Sequence, residues 1–242
     1  MDDRSIRRTK LLQMQALPLE EKVRASMRRI QEWLEVFPDA KVSFSGGKDS
    51  TVLLHIARRV KPQIEAVFAD TGLEYPEIRA FVARTPNVQI VRPKLSFLEV
   101  VQKYGYPIIS KRMAQMLGEA QRTSSDYLRS LRLTGIQRDG TLRQGSKISN
   151  KWQFLADPNC GVKISDQCCK HLKKNPMDAI GHAPIVGTMA ADSNQRLEMF
   201  YRHSCNAFDL TRPRSAPLSF WLESSRPPRA RGLKRQKTAR LP

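Results

Sequence analysis

A short loop in the first third of the chain, Ser-Gly-Gly-Lys-Asp-Ser at positions 45–50, has the composition of a phosphate-binding site. Its consecutive glycines let the backbone approach an anion closely and adopt positive φ. Exposed amide groups, the start of the following helix and the Lys48 ammonium all attract phosphate. The hydroxyls of Ser45 and Ser50 can donate hydrogen bonds to it. We therefore expect a phosphate site here; the alternative is a Gly-Gly turn that only caps a helix.

The cysteines form a second set of residues that could do chemistry. They are Cys160, Cys168, Cys169 and Cys205, and their separations of 8, 1 and 36 residues do not match a zinc finger. The lysines that follow the adjacent pair are expected to lower the thiol pKa values and to offset the charge of a metal cluster. Three interpretations stay open: a metal or cluster site, ordinary thiols, and a redox-active thiol.

The glycine loop needs a strand before it and a helix after it, and the hydrophobic pattern predicts both. Predicted strands at 41–44, 64–69 and 88–91 alternate with predicted helices at 51–60, 76–82 and 97–104. This alternation predicts an α/β fold with three α/β/α layers around a mostly parallel sheet of about five strands. Ligands of such sheets bind at the carboxyl ends of the strands. The glycine loop and the Asp70-Thr71-Gly72 loop are therefore expected to face one ligand.

The remaining segments complete the predicted organisation. Residues 1–40 are expected to form an N-terminal helical segment, with an amphipathic helix over 18–36. Later in the chain we expect helices at 110–121, 164–174 and 192–201, a surface loop at 138–151 and a strand at 184–187, with Pro176 ending the second helix. Residues 222–242 are rich in Arg and Pro and have few apolar side chains, which predicts a basic disordered tail.

The charge indicates an anionic ligand. The 42 basic and 23 acidic residues give a formal charge of +19, which disfavours an enzyme whose ligands are all neutral. Residues 103–174 hold 14 bases and 5 acids, and residues 223–242 hold 7 and 1. A small anionic nucleotide is the first candidate partner and nucleic acid the second. The chain has no apolar window long enough for a membrane span and no signal peptide, so we expect a cytoplasmic protein with no membrane partner.

Two stretches, SFSGGKDSTVLLHIARRV and VFADTGLEYPEIRAFV, resemble the PP-loop (adenine nucleotide alpha hydrolase-like) superfamily, and within it the phosphoadenosine phosphosulfate (PAPS) reductase family. The resemblance runs from Lys41 to Trp221, through YGYPIISK, QCCKHLKKNP, VGTMAADSNQR and PLSFW in the family's order. It implies a PP-loop domain over residues 41–221. Because the likeness stops near Leu222, we expect that domain to be incomplete at its C-terminus.

The resemblance implies an enzyme that binds the phosphates of an adenine nucleotide: ATP, adenosine phosphosulfate (APS) or PAPS. Its nucleotide-binding residues would be Ser45, Gly46, Gly47, Lys48, Asp49, Ser50, Asp70, Thr71 and Gly72. Mg²⁺ would neutralise the phosphates, with Asp49 or Asp70 helping to hold it. Reductases of the family alter the Gly-Lys positions of the loop, whereas this chain keeps both. It therefore looks more like members that cleave ATP between its α and β phosphates.

The late motif VGTMAADSNQR resembles the family's anion-binding loop, in which an arginine usually follows the glycine. Met189 and Ala190 stand at those positions here. Arg196 at the end of the motif is therefore the candidate for contacting phosphate or sulfate, together with Lys111 and Arg112 after the YGYPIIS segment.

The segment QCCKHLKKNP is similar to the paired-cysteine segment of assimilatory APS reductases. In those enzymes the pair and a later Cys-x-x-Cys hold a four-iron cluster. No Cys-x-x-Cys follows here, so an iron–sulfur or zinc site would need Cys160 and Cys205 beside Cys168 and Cys169.

Three functions remain open at this point. The first is a PAPS reductase family enzyme of sulfur activation, reduction or adenylyl transfer, either an oxidoreductase or a PP-loop ATP pyrophosphatase or sulfurtransferase. The second is an ATP-dependent enzyme that inserts sulfur into tRNA or DNA, and the third is a truncated, non-catalytic nucleotide-binding remnant. The catalytic thiol of the reductases lies in a C-terminal segment with no match here, so no catalytic residue is assigned.

Overall fold

The computed structural model describes residues 3–179 and 183–223 of the 242-residue chain. The chain divides into two compact units. The first unit comprises Met1–Phe68, Glu74–Val91 and Ile180–Pro242, and the second comprises Ala69–Leu73 and Arg92–Ala179. The predicted tail lies outside the described residues from position 224 onward. Among the described residues, no helix has the length and apolar character needed to cross a membrane.

A six-stranded, mostly parallel sheet organises the first unit. Its strands are β1 (Val42–Ser43), β2 (Ala66–Ala69), β3 (Val88–Val91), β4 (Ile185–Val186), β5 (Asn206–Ala207) and β6 (Arg214–Ser215), in the order β3-β2-β1-β4-β6-β5. In the central strands Val42 pairs in parallel with Ala66 and with Ile185, whereas β5 pairs antiparallel with β6. The α/β fold class is confirmed, and the sheet has one strand more than the five we expected.

The additional strand is part of the short β5–β6 pair, which carries no hydrophobic periodicity. Each of these strands has two residues, and three of the four side chains are polar. Ser215 fits the interior because its hydroxyl donates to the Asn206 side chain at 2.7 Å. Tertiary hydrogen bonding creates this pair, so the apolar pattern of the sequence did not reveal it.

Helices lie on both sides of the sheet. In the described residues the α-helices are α1 (Asp3–Ala16), α2 (Leu19–Val36), α3 (Lys48–Val60), α4 (Pro76–Arg84), α5 (Phe97–Tyr104), α6 (Lys111–Arg122), α7 (Asp126–Thr134), α8 (Asn175–Ala179) and α9 (Asn194–His203). Two 3₁₀ helices, Asn150–Ala156 and Ala190–Asp192, and a π-helix, Lys170–Lys174, complete the set.

The core of the first unit depends on α2 and on the segment that follows β6. The predicted amphipathic helix is confirmed as α2, whose Ile30 and Trp33 are fully buried. The indole of Trp221 is also buried and donates to the Ser26 hydroxyl at 3.0 Å, and that hydroxyl donates to the Pro217 carbonyl at 3.0 Å. A buried indole N–H and hydroxyl thus both find partners, and α2 is tied to the end of the described chain.

The second unit has a smaller core around α6. Its buried members include Leu117 of α6, Ile148 and Ile164. A Cβ at Gly118 would lie 2.6 Å from the Ile164 carbonyl oxygen, so glycine permits this close helix packing. The predicted surface loop at 138–151 is exposed along most of its length, but Ile148 anchors it in this core.

The helix predicted over 164–174 begins later and extends further. Ile164 forms a parallel bridge with Tyr106, and the helical turns begin only at Cys168. The prediction that Pro176 ends the helix is wrong. An α-helical proline clashes with the carbonyl four residues earlier, but here the wider π-helix precedes it and the Asn175 amide donates to Lys170, five residues back.

Replacing Trp221 with alanine should lower the free energy of unfolding by about 3 to 5 kcal/mol, because it removes a fully buried aromatic side chain. The measurement is urea denaturation of the parent and the variant. Val36→Ala is the control, since Val36 is exposed in α2 and its truncation should cost less than about 0.5 kcal/mol. Equal losses for the two variants would contradict the anchoring role of Trp221.

Candidate functional site

The glycine loop lies between β1 and α3, where the sequence predicts it. Gly46 has φ of +70°, a value that favours glycine. A Cβ at this position would lie 2.7 Å from Cγ2 of Ile78 in α4, so the loop has no room for a side chain there. Gly47 is the N-cap residue of α3 and has no side chain that could cap the helix. The first turn of α3 therefore follows the loop directly, without a side-chain cap.

The serine hydroxyls hold this loop in shape. The Ser50 hydroxyl is buried, accepts from the Ser45 amide at 3.1 Å and donates to the Gly47 carbonyl at 2.9 Å. The hydroxyls of Ser45 and Ser50 are 3.0 Å apart, and that of Ser45 accepts from the Gly47 amide at 3.3 Å. The Ser50 hydroxyl thus has an internal acceptor in this arrangement, and its role as a phosphate donor stays a prediction.

Gly187 also shapes the start of α3, and the sequence analysis did not single it out. It follows β4, and a Cβ there would lie 3.1 Å from the carbonyl carbon of Asp49 and 3.2 Å from the Ser50 amide nitrogen. Glycine is therefore needed for β4 to continue past the first turn of α3. The glycine of the VGTMAADSNQR motif, at the end of the strand predicted over 184–187, is the signal for this position in the sequence.

Lys48 lies in the first turn of α3 and forms an ion pair with Glu223, a residue 175 positions away in sequence. The buried Phe220 and Trp221 hold the segment just before Glu223 against the core of the same unit. A carboxylate thus approaches the lysine that was predicted to bind phosphate. The anionic partner of the Lys48 ammonium thus comes from outside the glycine loop.

The Asp70-Thr71-Gly72 loop directly follows β2 and belongs to the second unit. The side chains of Asp70 and Thr71 are buried. Asp70 accepts from the Gly72 amide at 3.2 Å and lies 3.4 Å from Nε of Arg92, while the Thr71 hydroxyl accepts from the Leu73 amide at 3.3 Å. These contacts fix the turn. That it faces the same ligand as the glycine loop stays a prediction.

The three predicted anion contacts lie in different surroundings. Arg196, in the first turn of α9, forms an ion pair with Asp192, so its charge is partly offset. In the second unit Arg112 donates to the Gly145 carbonyl at 2.5 Å and holds the loop after α7, while Lys111 is an exposed residue at the start of α6. The structure gives Arg196 and Arg112 structural partners, and a role in anion binding stays a prediction for all three residues.

The cysteines are divided between the two units. Cys160 of the second unit accepts from Gln121 at 3.3 Å and contacts the Val162 carbonyl at 3.4 Å, whereas Cys205 is buried in the core of the first unit. Across residues 3–179 and 183–223, no three His, Cys, Asp or Glu side chains form a group that could hold a metal ion. An iron–sulfur or zinc site made by the four cysteines stays a prediction.

In the adjacent pair Cys168 and Cys169, the pKa of Cys168 differs from the sequence prediction. Burial, together with the neighbouring Cys169 thiol, raises the pKa of Cys168. The prediction that the following lysines lower the thiol pKa is therefore wrong for Cys168, because desolvation of the thiolate exceeds their effect. Two residues after Cys169, the His171 ring stacks on the Tyr104 ring with centroids 4.2 Å apart, so the His171 side chain also has a packing role.

Replacing Gly46 with alanine should destabilise the protein more than the same change at Gly72. Both glycines have positive φ, which costs an alanine about 1 to 2 kcal/mol, but only the Cβ at 46 meets another side chain. Overpacking against Ile78 should add about 1 to 3 kcal/mol. Urea denaturation of the two variants measures the difference, and equal losses would contradict the close packing of α4 on the loop.

The Cys205 thiol should make stability depend on alkaline pH. Burial raises the pKa of Cys205 to about 11, whereas a cysteine in an unfolded chain has a pKa of about 8.5. Between these values the unfolded chain loses a proton that the folded chain keeps, so the free energy of unfolding falls as pH rises, by up to about 3 kcal/mol.

This pH effect is measured as the difference between the parent and Cys205→Ala in denaturation experiments from neutral to alkaline pH. The variant should lose less stability over this range, because it lacks the titrating thiol. Cys160→Ala is the control, since its thiol is only partly buried. Parallel pH profiles for the parent and Cys205→Ala would rule out this contribution.

Comparison with known proteins gives the family. The chain matches the phosphoadenosine phosphosulfate reductase domain over residues 39–225. It is 32% identical over 100 residues to phosphoadenosine 5'-phosphosulfate reductase of Thiocapsa roseopersicina, covering 39% of each chain. It is also 39% identical over 70 residues to an uncharacterised protein of Methanocaldococcus jannaschii, covering 27% of this chain and 17% of the relative. The matched segments thus span well under two thirds of either relative. Because the domain match covers most of the chain, the protein belongs to the PAPS reductase domain family of the PP-loop superfamily.

Proposed function

We propose that this protein is an enzyme that binds an adenylyl nucleotide by its phosphates at the glycine loop and uses it in sulfur metabolism. Membership of the family implies a sulfonucleotide-related function. The single observation that supports the phosphate site is the N-terminus of α3. It follows Gly46 and Gly47 directly, has no side-chain cap and carries Lys48 in its first turn. The nucleotide is ATP, APS or PAPS, and a cytoplasmic location is part of the same proposal.

The chemistry follows from the charges in the loop. The first-turn amide groups of an α-helix have no partner inside the helix, and its N-terminus carries partial positive charge. A phosphate placed there would meet these amides and the Lys48 ammonium. Donors that are already positioned stabilise negative charge developing on phosphate without reorganising. A bound polyphosphate would also displace Glu223 from Lys48, because it carries more charge than one carboxylate.

Asp49 is the residue that would help to hold a Mg²⁺ ion in this proposal. Asp49 supplies a carboxylate in the first turn of α3, and one or two carboxylates together with substrate phosphates are the usual protein ligands of Mg²⁺. The ion would supply charge neutralisation of the polyphosphate. Asp70 is a weaker candidate, because it already accepts from Gly72 and pairs with Arg92.

The loop favours cleavage of ATP between the α and β phosphates over reduction of a sulfonucleotide. The intact Gly47-Lys48 pair resembles family members that carry out this cleavage. Reduction would need an electron donor, for which the proposal names no residue of this chain. No step of the proposal therefore passes through an iron–sulfur cluster.

Lys48→Ala should weaken nucleotide binding about tenfold to hundredfold, because hydrogen bonds to charged groups contribute about 1.5 to 3 kcal/mol. The measurement is calorimetric titration of the parent and the variant with ATP, APS and PAPS in the presence of Mg²⁺. Arg59→Ala is the matched control, since it removes one positive charge from an exposed position at the other end of α3.

Binding that is absent for all three nucleotides, or equal in the parent and Lys48→Ala, would overturn the proposal. Pyrophosphate release from ATP is measured on the same samples. Release by the parent and its loss in Lys48→Ala would support ATP cleavage and exclude the non-catalytic remnant. Binding without release would favour the remnant.

A further inference from the structure

We infer that the second unit carries a binding surface for single-stranded nucleic acid. The surface, named here the basic-aromatic face, consists of Tyr127, Arg138, Arg143, Lys147, Lys151, Trp152 and Phe154. This inference does not depend on the proposed nucleotide site, which lies on the glycine loop of the first unit. It rests on supporting hydrogen bonds in residues 126–156 and on the placement of exposed cations and aromatic rings, of which Phe154 is exposed and Tyr127 and Trp152 are half-buried.

Backbone and side-chain hydrogen bonds bring the parts of this face together. The Arg143 amide donates to the Gly135 carbonyl at 2.8 Å, and the Ile148 amide donates to the Arg132 carbonyl at 2.7 Å. Gln153 of the 3₁₀ helix Asn150–Ala156 donates to the Leu133 carbonyl at 2.7 Å. The loop and the 3₁₀ helix are therefore both fixed against the C-terminal half of α7.

The cations of the face are available to a ligand. Residues 136–156 contain four bases, Arg138, Arg143, Lys147 and Lys151, and one acid, Asp139. All four bases are exposed, and none forms an ion pair with a carboxylate of the described residues. The Asp139 carboxylate accepts from the amide and the hydroxyl of Thr141 within the same turn. The face therefore has an excess of positive charge that no carboxylate of the described residues neutralises.

Aromatic rings lie among these cations. The Arg138 guanidinium lies 4.7 Å from the Tyr127 ring centroid, and the Lys151 ammonium lies 5.1 Å from that of Trp152. Phe154, in the same 3₁₀ helix, is 64% exposed. Proteins that bind single strands combine a positive surface for phosphates with rings on which bases stack, and arginine adds cation–π contacts. Duplex DNA offers the phosphates but keeps its base faces stacked inside.

An anionic membrane surface is the competing partner. It would be attracted by the same cations, but membrane-surface segments present a continuous apolar face opposite a charged one. Here the 3₁₀ helix Asn150–Ala156 is short and carries one exposed ring, Phe154, together with Lys151 and the half-buried Trp152. One exposed ring does not make a continuous apolar face, so this arrangement favours a single strand, whose phosphates meet the cations and whose bases can stack on the rings.

The test is fluorescence anisotropy of the full chain with labelled single strands of about 16 nucleotides, oligo(dT) and oligo(U), and with a DNA duplex of the same length. Phe154→Ala should weaken single-strand binding about fivefold to hundredfold through lost stacking. Leu98→Ala is the matched control, because Leu98 is equally exposed in α5 of the same unit, and it should bind like the parent.

The double variant Lys147→Ala/Lys151→Ala should reduce the slope of log K against log salt by about 1.4, since each phosphate contact on a single strand contributes about 0.7. Its control is Arg28→Ala/Arg59→Ala, which removes two exposed charges from the first unit. The basic residues beyond 223 are present in every protein compared, so they cannot produce a difference between variants. Comparison of oligo(dT) with oligo(U) tells which type of strand is preferred.

Several results would overturn the inference. They are undetectable binding at about 50 mM salt, binding in which Phe154→Ala and Leu98→Ala equal the parent, or duplex binding as tight as single-strand binding. Cosedimentation with phosphatidylserine vesicles that depends on Phe154, without oligonucleotide binding, would assign the face to a membrane instead. Circular dichroism of each variant confirms that the exposed substitutions leave the fold intact.

Discussion

The uncapped first turn of α3 is the constraint on which the candidate nucleotide site depends. An α-helix with an open N-terminus and no capping side chain leaves amide groups without partners, which costs stability unless something else fixes the turn. Here the Ser50 hydroxyl bonds the loop to itself, and Gly46 and Gly187 allow α4 and the chain after β4 to pack closely around it. Hydrogen bonds within the loop and close packing around it thus fix its shape without a side-chain cap on α3.

Hydrogen bonds within a turn also fix two polar residues that the sequence predicts as nucleotide contacts. Ser50 and Asp70 were both predicted from sequence to contact the nucleotide, yet each forms hydrogen bonds within its own turn. A hydroxyl or carboxylate that is already bonded keeps the backbone in the required shape. That these residues also contact a nucleotide stays a prediction.

Much of the fold was predictable because its signals are local. The apolar run before the glycine loop, the helical spacing after it and the amphipathic pattern of α2 each depend on neighbours within a few residues. The β5–β6 pair, the π-helix before Pro176 and the Glu223 contact with Lys48 were not predictable. They depend on hydrogen bonds and charges between residues far apart in sequence, for which periodicity carries no signal.

The sequence by itself determined the alternating α/β order and the position of the glycine loop, and its motifs indicated the family, because glycine spacing and strand periodicity are properties of short segments. Only the tertiary structure decided which polar groups are used for folding and which remain for a ligand. Cys205 shows the reason: its residue type left a metal ligand, an ordinary thiol and a redox-active thiol open, whereas burial in the first unit's core raises the pKa of its thiol. Burial and hydrogen bonding set the chemistry of a side chain, and both arise from residues distant in sequence.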